Sequence, residues 1–158
     1  MEQRDFGRLI EALSGHIRQG LDASSGTVVL ARGDKSVAMI IEAGPGPEAC
    51  TAIAPFGRLS GNRDLDTARA VALLKLNADR EALGGIVLSV DSARGVFLAL
   101  ETLPLSINVI TFLQRIEALC GLAQGLALHI ATVEPEEMPA SAPGPGPAGH
   151  GEDWVLRI

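Results

Sequence analysis

The stretch from Leu73 to Leu105, LLKLNADREALGGIVLSVDSARGVFLALETLPL, constrains the fold more than any other part of the chain. Ile86, Leu88 and Val90 alternate with Val87, Ser89 and Asp91, and Val96, Leu98 and Leu100 alternate with Phe97, Ala99 and Glu101. Successive side chains of a strand point to opposite faces, so two such segments either side of Asp91-Ser92-Ala93-Arg94-Gly95 predict a β-hairpin. The residues before it predict a helix over 65–77, with Asp64 as its cap. Between Ala70 and Leu76 that helix is apolar almost all round, with only Lys75 interrupting. A helix that lacks a polar face is buried on more than one side. The second covering is either the rest of a monomeric core or another copy of the protein.

The N-terminal stretch predicts an amphipathic helix over 2–20. Phe6, Leu9, Ile10, Leu13 and Ile17 recur at helical spacing, and Gly20 is the expected C-cap. Three short strands are expected next: Thr27–Arg32, Val37–Glu42 and Glu48–Phe56. The turn Arg32-Gly33-Asp34-Lys35 and the breaker Gly44-Pro45-Gly46-Pro47 separate them. Short links between consecutive strands imply an antiparallel meander. After the hairpin, Pro104 ends the second strand and Ser106 is the expected cap of a last helix over 107–130. Its wide apolar stripe includes Phe112, Ile116, Leu119 and Ile130.

The order α-β-β-β-α-β-β-α defines an α+β domain with a twisted antiparallel sheet packed by helices. A length of 158 residues suffices for one such domain with a substantial core. Tyr is absent and aromatics are 3%, so small aliphatic side chains must fill that core. The domain is expected over 1–132. Residues 133–158 form a Pro/Gly-rich stretch, expected to be flexible, that ends in the apolar EDWVLRI with the only Trp.

The formal net charge is −6 and there is no Lys/Arg cluster, which argues against nucleic acid and anionic lipid as partners. No apolar run approaches membrane-spanning length, and MEQRDFGRLI lacks the apolar region of a secretory signal. The expectation is a cytoplasmic protein without membrane insertion. Cys50 and Cys120 sit in apolar contexts and read as reduced core thiols.

Residues for chemistry do not converge. His16, His129 and His150 are far apart, and none has a Cys or carboxylate at metal-site spacing. Asp64 and Asp66 are explained by helix capping. Gly144-Pro145-Gly146-Pro147-Ala148-Gly149 matches G-x-G-x-x-G literally, but no strand precedes it and no helix follows. Its prolines also remove N–H donors that a pyrophosphate would need. No catalytic residue, metal ligand or cofactor is expected.

The element order, size and acidity resemble the class I type III secretion chaperones, the Tir-chaperone or CesT-like family, over about residues 4–130. Leu73-Leu74-Lys75-Leu76-Asn77, the hairpin, and Leu103-Pro104-Leu105 leading into the last helix are similar to the family's L-x-x-N, strand pair and L-P pattern. The resemblance implies a non-catalytic homodimer that binds the N-terminal segment of a secreted effector as an extended chain and keeps it secretion-competent. It implies a dimer interface on the second helix and the following strand: Val71, Leu73, Leu74, Leu76, Ile86, Leu88 and Val90. It implies a client patch on the first helix and meander: Phe6, Leu9, Leu13, Val37, Met39 and Ile41. The Pro/Gly tail and EDWVLRI depart from the family pattern, and an autoinhibitory role is one expectation for them. A regulatory adaptor or anti-activator on the same scaffold is the alternative function, and a small-ligand-binding α+β domain is a third.

Overall fold

The computed structural model of the chain describes residues 2–31, 37–44, 46, 48–79 and 81–135. The expected turn at 32–35, Pro45, Pro47, Arg80 and the tail from 136 to 158 lie outside the described residues. The elements are α1 (Glu2–Ile17), β1 (Thr27–Ala31), β2 (Val37–Ala43), β3 (Ala49–Arg58), α2 (Arg63–Ala78), β4 (Val87–Asp91), β5 (Val96–Pro104) and α3 (Val109–Ala131). Their order is the expected one, and the fold is α+β.

The five strands form one antiparallel sheet in the order β1-β2-β3-β5-β4. The hairpin inserts β5 beside β3, which leaves β4 at one edge and β1 at the other. One face carries Val28, Leu30, Met39, Ile41, Cys50, Ala52, Ala54, Phe97 and Ala99, all buried. The helices close this face. α1 contributes Phe6, Leu9, Ile10 and Leu13, and α3 contributes Phe112, Ile116, Leu119, Ala123, Leu126 and Ile130 to the same cluster. α3 runs so close to β3 that a Cβ on Gly57 would collide with the Cδ1 of Ile130, so this position admits only glycine without a shift.

Side-chain ties fix the helices on the sheet. Arg8 on α1 donates to the backbone oxygens of Leu105 (3.2 Å) and Ile107 (3.3 Å) in the β5–α3 connection. His16 on α1 meets the Glu117 carboxylate on α3 at 2.7 Å, with both side chains exposed. Arg69 on α2 donates to the Ile130 oxygen at 3.1 Å, near the end of α3.

Several boundaries differ from the sequence expectation. α1 ends at Ile17 instead of reaching Gly20, because Arg18 takes a left-handed φ of 57° and Ser14 accepts from the Gln19 N–H. The cap of α2 is Asn62, not Asp64: the Asn62 side-chain oxygen accepts from the N–H groups of Asp64 and Leu65. The cap of α3 is Asn108, not Ser106, and it accepts from the Ile110 N–H at 2.8 Å. α2 therefore starts two residues earlier than expected, and α3 two residues later, after a turn closed by the Ile107 N–H on the Pro104 oxygen. β3 runs on through Pro55 to Arg58, because its register slips between Pro55 and Gly57 and the irregularity accommodates the proline.

Candidate polypeptide-binding surface

The expected client patch is corrected by burial. Phe6, Leu9, Leu13, Met39 and Ile41 are at most 2% exposed and belong to the core between the sheet and its helices. A side chain with no accessible surface cannot receive a partner. Val37 starts β2, but its side chain lies outside the described residues. The reason for the error is visible in β2 itself. Val37-Ala38-Met39-Ile40-Ile41 is apolar on both faces, so its sequence does not say which face the helices cover.

Among the described residues, nothing covers the opposite face of the sheet as the helices cover the core face. The register aligns Val29 with Ile40, Ile40 with Ile53, Ile53 with Leu100, and Leu100 with Val87. One apolar side chain from every strand therefore stands in a single row across the sheet, on the side away from the core. Val29 and Val87, at the two ends, are 51% and 56% exposed, and Ile40, Ile53 and Leu100 are half-buried. Directly beside it, Thr27, Glu42, Thr51 and Thr102 align as a polar row. An apolar band rimmed by hydroxyls and a carboxylate suits an extended polypeptide, which offers both apolar side chains and backbone polar groups. The signal in the sequence was the pair of apolar positions Ile40 and Ile53, each between two residues that are also apolar.

The expected dimer residues divide in two. Leu73, Ile86 and Leu88 are buried within the single chain, and Leu76 packs partly against the core, so the first three are corrected to core positions. Val71, Leu74 and Val90 remain exposed, Leu74 to 66%. Val71 and Leu74, three residues apart on α2, share one side of that helix, and α2 packs against β4, the strand that carries Val90. α2 thus has one buried apolar side and one bare apolar side, as its sequence implied.

Two polar arrangements shape this flank. Asn77, the last residue of the L-x-x-N pattern, donates from Nδ2 to the Leu88 oxygen and accepts at Oδ1 from the Leu88 N–H, both at 2.8 Å. Glu101 on β5 is 5% exposed and pairs with Arg115 of α3, whose guanidinium also donates to the Gly84 oxygen at 2.7 Å. This pair clamps the loop before β4 onto the core. The second carboxylate oxygen of Glu101, Oε2, has no hydrogen-bond partner among the described residues. Sequence reading placed Glu101 in strand alternation but did not pair it with Arg115, since the two lie on different elements.

Among the described residues no group of His, Cys, Asp and Glu side chains could hold a metal ion, and no helix is long and apolar enough to cross a membrane. Cys50 and Cys120 are both thiols, and burial pushes the Cys50 thiol up to about 11. Asp66 does more than favour a helix N-terminus. It accepts from the Ser60 N–H and hydroxyl and from the Gly61 N–H, and these bonds hold its carboxyl below the ordinary value.

No family model matches the chain, and no curated protein matches it in sequence. Its fold is similar to solved structures. A chain of the HopA1–SchA chaperone–effector complex superposes with a TM-score of 0.62 at 17% identity, over 80% of this chain and 95% of that one. A chain of the heterodimeric ExoU–SpcU complex from the type III secretion system of Pseudomonas aeruginosa superposes with a TM-score of 0.55 at 16% identity, over 75% of this chain and 93% of that one. The α+β fold of this chain therefore also occurs in a chaperone–effector complex and in a heterodimeric complex from a type III secretion system.

Proposed function

We propose that the protein is a cytoplasmic chaperone that binds the N-terminal segment of a type III secreted effector and keeps it competent for export. The observation that carries this reading is the five-strand apolar row Val29–Ile40–Ile53–Leu100–Val87 on the uncovered sheet face. The fold likeness to the HopA1–SchA and ExoU–SpcU complexes supports it. An extended client laid on this face loses apolar surface to the row and keeps its backbone near the polar row beside it. Burial of apolar area at roughly 25 cal/mol per Å² supplies the driving force, and no covalent chemistry is needed.

The working form in this reading is a homodimer formed through the bare side of α2 and the adjoining β4, around Val71, Leu74 and Val90. It has no catalytic activity, cofactor or nucleic-acid partner, and the domain ends close to Thr132, the C-cap of α3. The test is affinity purification of the full chain from its native cells, with mass spectrometry of co-eluting proteins. The reading expects one predominant exported protein whose N-terminal fragment binds the purified chain directly. Direct binding that maps to a folded domain of the co-eluting protein would overturn it.

A further inference from the structure

Resting on the proposed role of the open sheet face, we propose that the chain's own C-terminal segment, Trp154–Ile158, docks on the row Val29–Ile40–Ile53–Leu100–Val87 and is displaced when a client binds. The first observation is the face itself. Five strands each contribute one apolar side chain to it, and all the helices in contact with the core lie elsewhere. Bare apolar surface of this kind marks an interaction site.

The second is the pattern of the chain's end. In Trp154-Val155-Leu156-Arg157-Ile158 the apolar residues Trp154, Leu156 and Ile158 fall at period two, which brings three large side chains to one side of an extended segment and Arg157 to the other. At ~3.3 Å per residue those three positions span about 13 Å, and five strands spaced ~4.8 Å apart give a row about 19 Å long. The segment fits within the row.

The third is where the chain leaves the domain. α3 ends at Ala131, with Ile130 over Gly57 of β3 and its backbone oxygen held by Arg69. Residues 136–153, rich in Pro and Gly, lie between the described residues and Trp154. At up to ~3 Å per residue they reach any point of a domain about 35–40 Å across, including the face opposite α3. A tethered apolar segment acts at a high effective concentration, so modest affinity suffices to keep the face covered, and a client with more contacts still displaces it.

Trp154 is the only tryptophan, so its emission reports this contact without labelling. The experiment measures Trp154 emission and acrylamide quenching in the full chain, with the free peptide EDWVLRI as the solvated reference. The wild type is expected to emit at shorter wavelength than the peptide, to resist quenching, and to keep both properties on dilution. Val29→Glu with Ile40→Thr is expected to bring both values to those of the peptide, with circular dichroism showing the fold retained. Leu128→Glu, on the exposed side of α3, is expected to change neither. Peptide-like values in the wild type, loss of the blue shift on dilution, or no response in a folded Val29→Glu, Ile40→Thr chain each overturn the proposal. Should that double variant fail to fold, Val87→Glu at the other end of the row carries the same test. None of these readouts involves an effector, so they fall independently of whether an exported protein co-purifies.

Discussion

Asn77 faces Leu88 as a neighbouring strand would: its side-chain amide donates to the Leu88 oxygen and accepts from the Leu88 N–H, both at 2.8 Å. β4 is an edge strand, and an edge leaves backbone donors and acceptors unpaired. A carboxamide at the end of α2 satisfies one residue's worth of them and ties the helix to the sheet. The contact explains in physical terms why an Asn closes the L-x-x-N pattern. Replacing Asn77 with Ala is expected to lower stability by about 1–3 kcal/mol, because the Leu88 groups lose their partner in a half-buried place. Asn77→Asp should do no better, since it sets a second acceptor against the Leu88 oxygen. Urea denaturation checks both, and wild-type midpoints for the variants would contradict the capping role.

The Glu101–Arg115 pair predicts an asymmetry. Arg115→Met leaves a buried carboxylate without its cation and is expected to destabilise by about 2–3 kcal/mol, below the loss for a fully buried pair because Arg115 is one-third exposed. Combining it with Glu101→Leu should recover much of that loss, since the stranded charge is gone. A double variant as unstable as the sum of the two singles would show the pair to be independent residues.

On the α2 flank, light scattering of the wild type is expected to give the mass of a dimer. Leu74→Asp should give a folded monomer, because Leu74 contributes little to the core of one chain. Leu73→Asp should instead unfold the protein, as Leu73 is buried. A monomeric wild type would remove α2 as an interface.

Asp66 ties stability to pH. Hydrogen bonds from Ser60 and Gly61 hold its folded pKa below 3.8, the ordinary value. A depressed carboxylate pKa contributes stability above the unfolded value and loses it as pH falls through the folded one. The midpoint difference between wild type and Asp66→Asn should thus be full at neutral pH and shrink below about pH 3.8. A difference that stays constant down to pH 2 would contradict the assignment.

Much of this was legible in the sequence, for reasons that differ by element. β4 and β5 announced themselves by alternation, and α2 announced a second apolar side that Leu74 and Val71 now supply. The proposed client surface was not legible. Met39 and Ile40 are equally apolar, and which of them meets α1 and α3 depends on the sheet's position in three dimensions. The row from Val29 to Val87 exists only through cross-strand register, which pairs residues as far apart as Ile53 and Leu100, 47 positions, in pairs no local pattern specifies. Caps were misplaced for a related reason: Asp64 and Ser106 are good capping residues, but Asn62 and Asn108 sit where the chain enters each helix.

The central claim is that the uncovered sheet face receives a client. The most direct measurement is calorimetric titration of the N-terminal fragment of the co-purifying exported protein into the wild type and into a Val29→Glu, Val87→Glu variant. Both residues are more than half exposed, so the charges should leave the fold intact while facing the client at both ends of the row. The account predicts at least about a tenfold loss of affinity, which corresponds to ~1.4 kcal/mol. Unchanged affinity in a folded variant would contradict it.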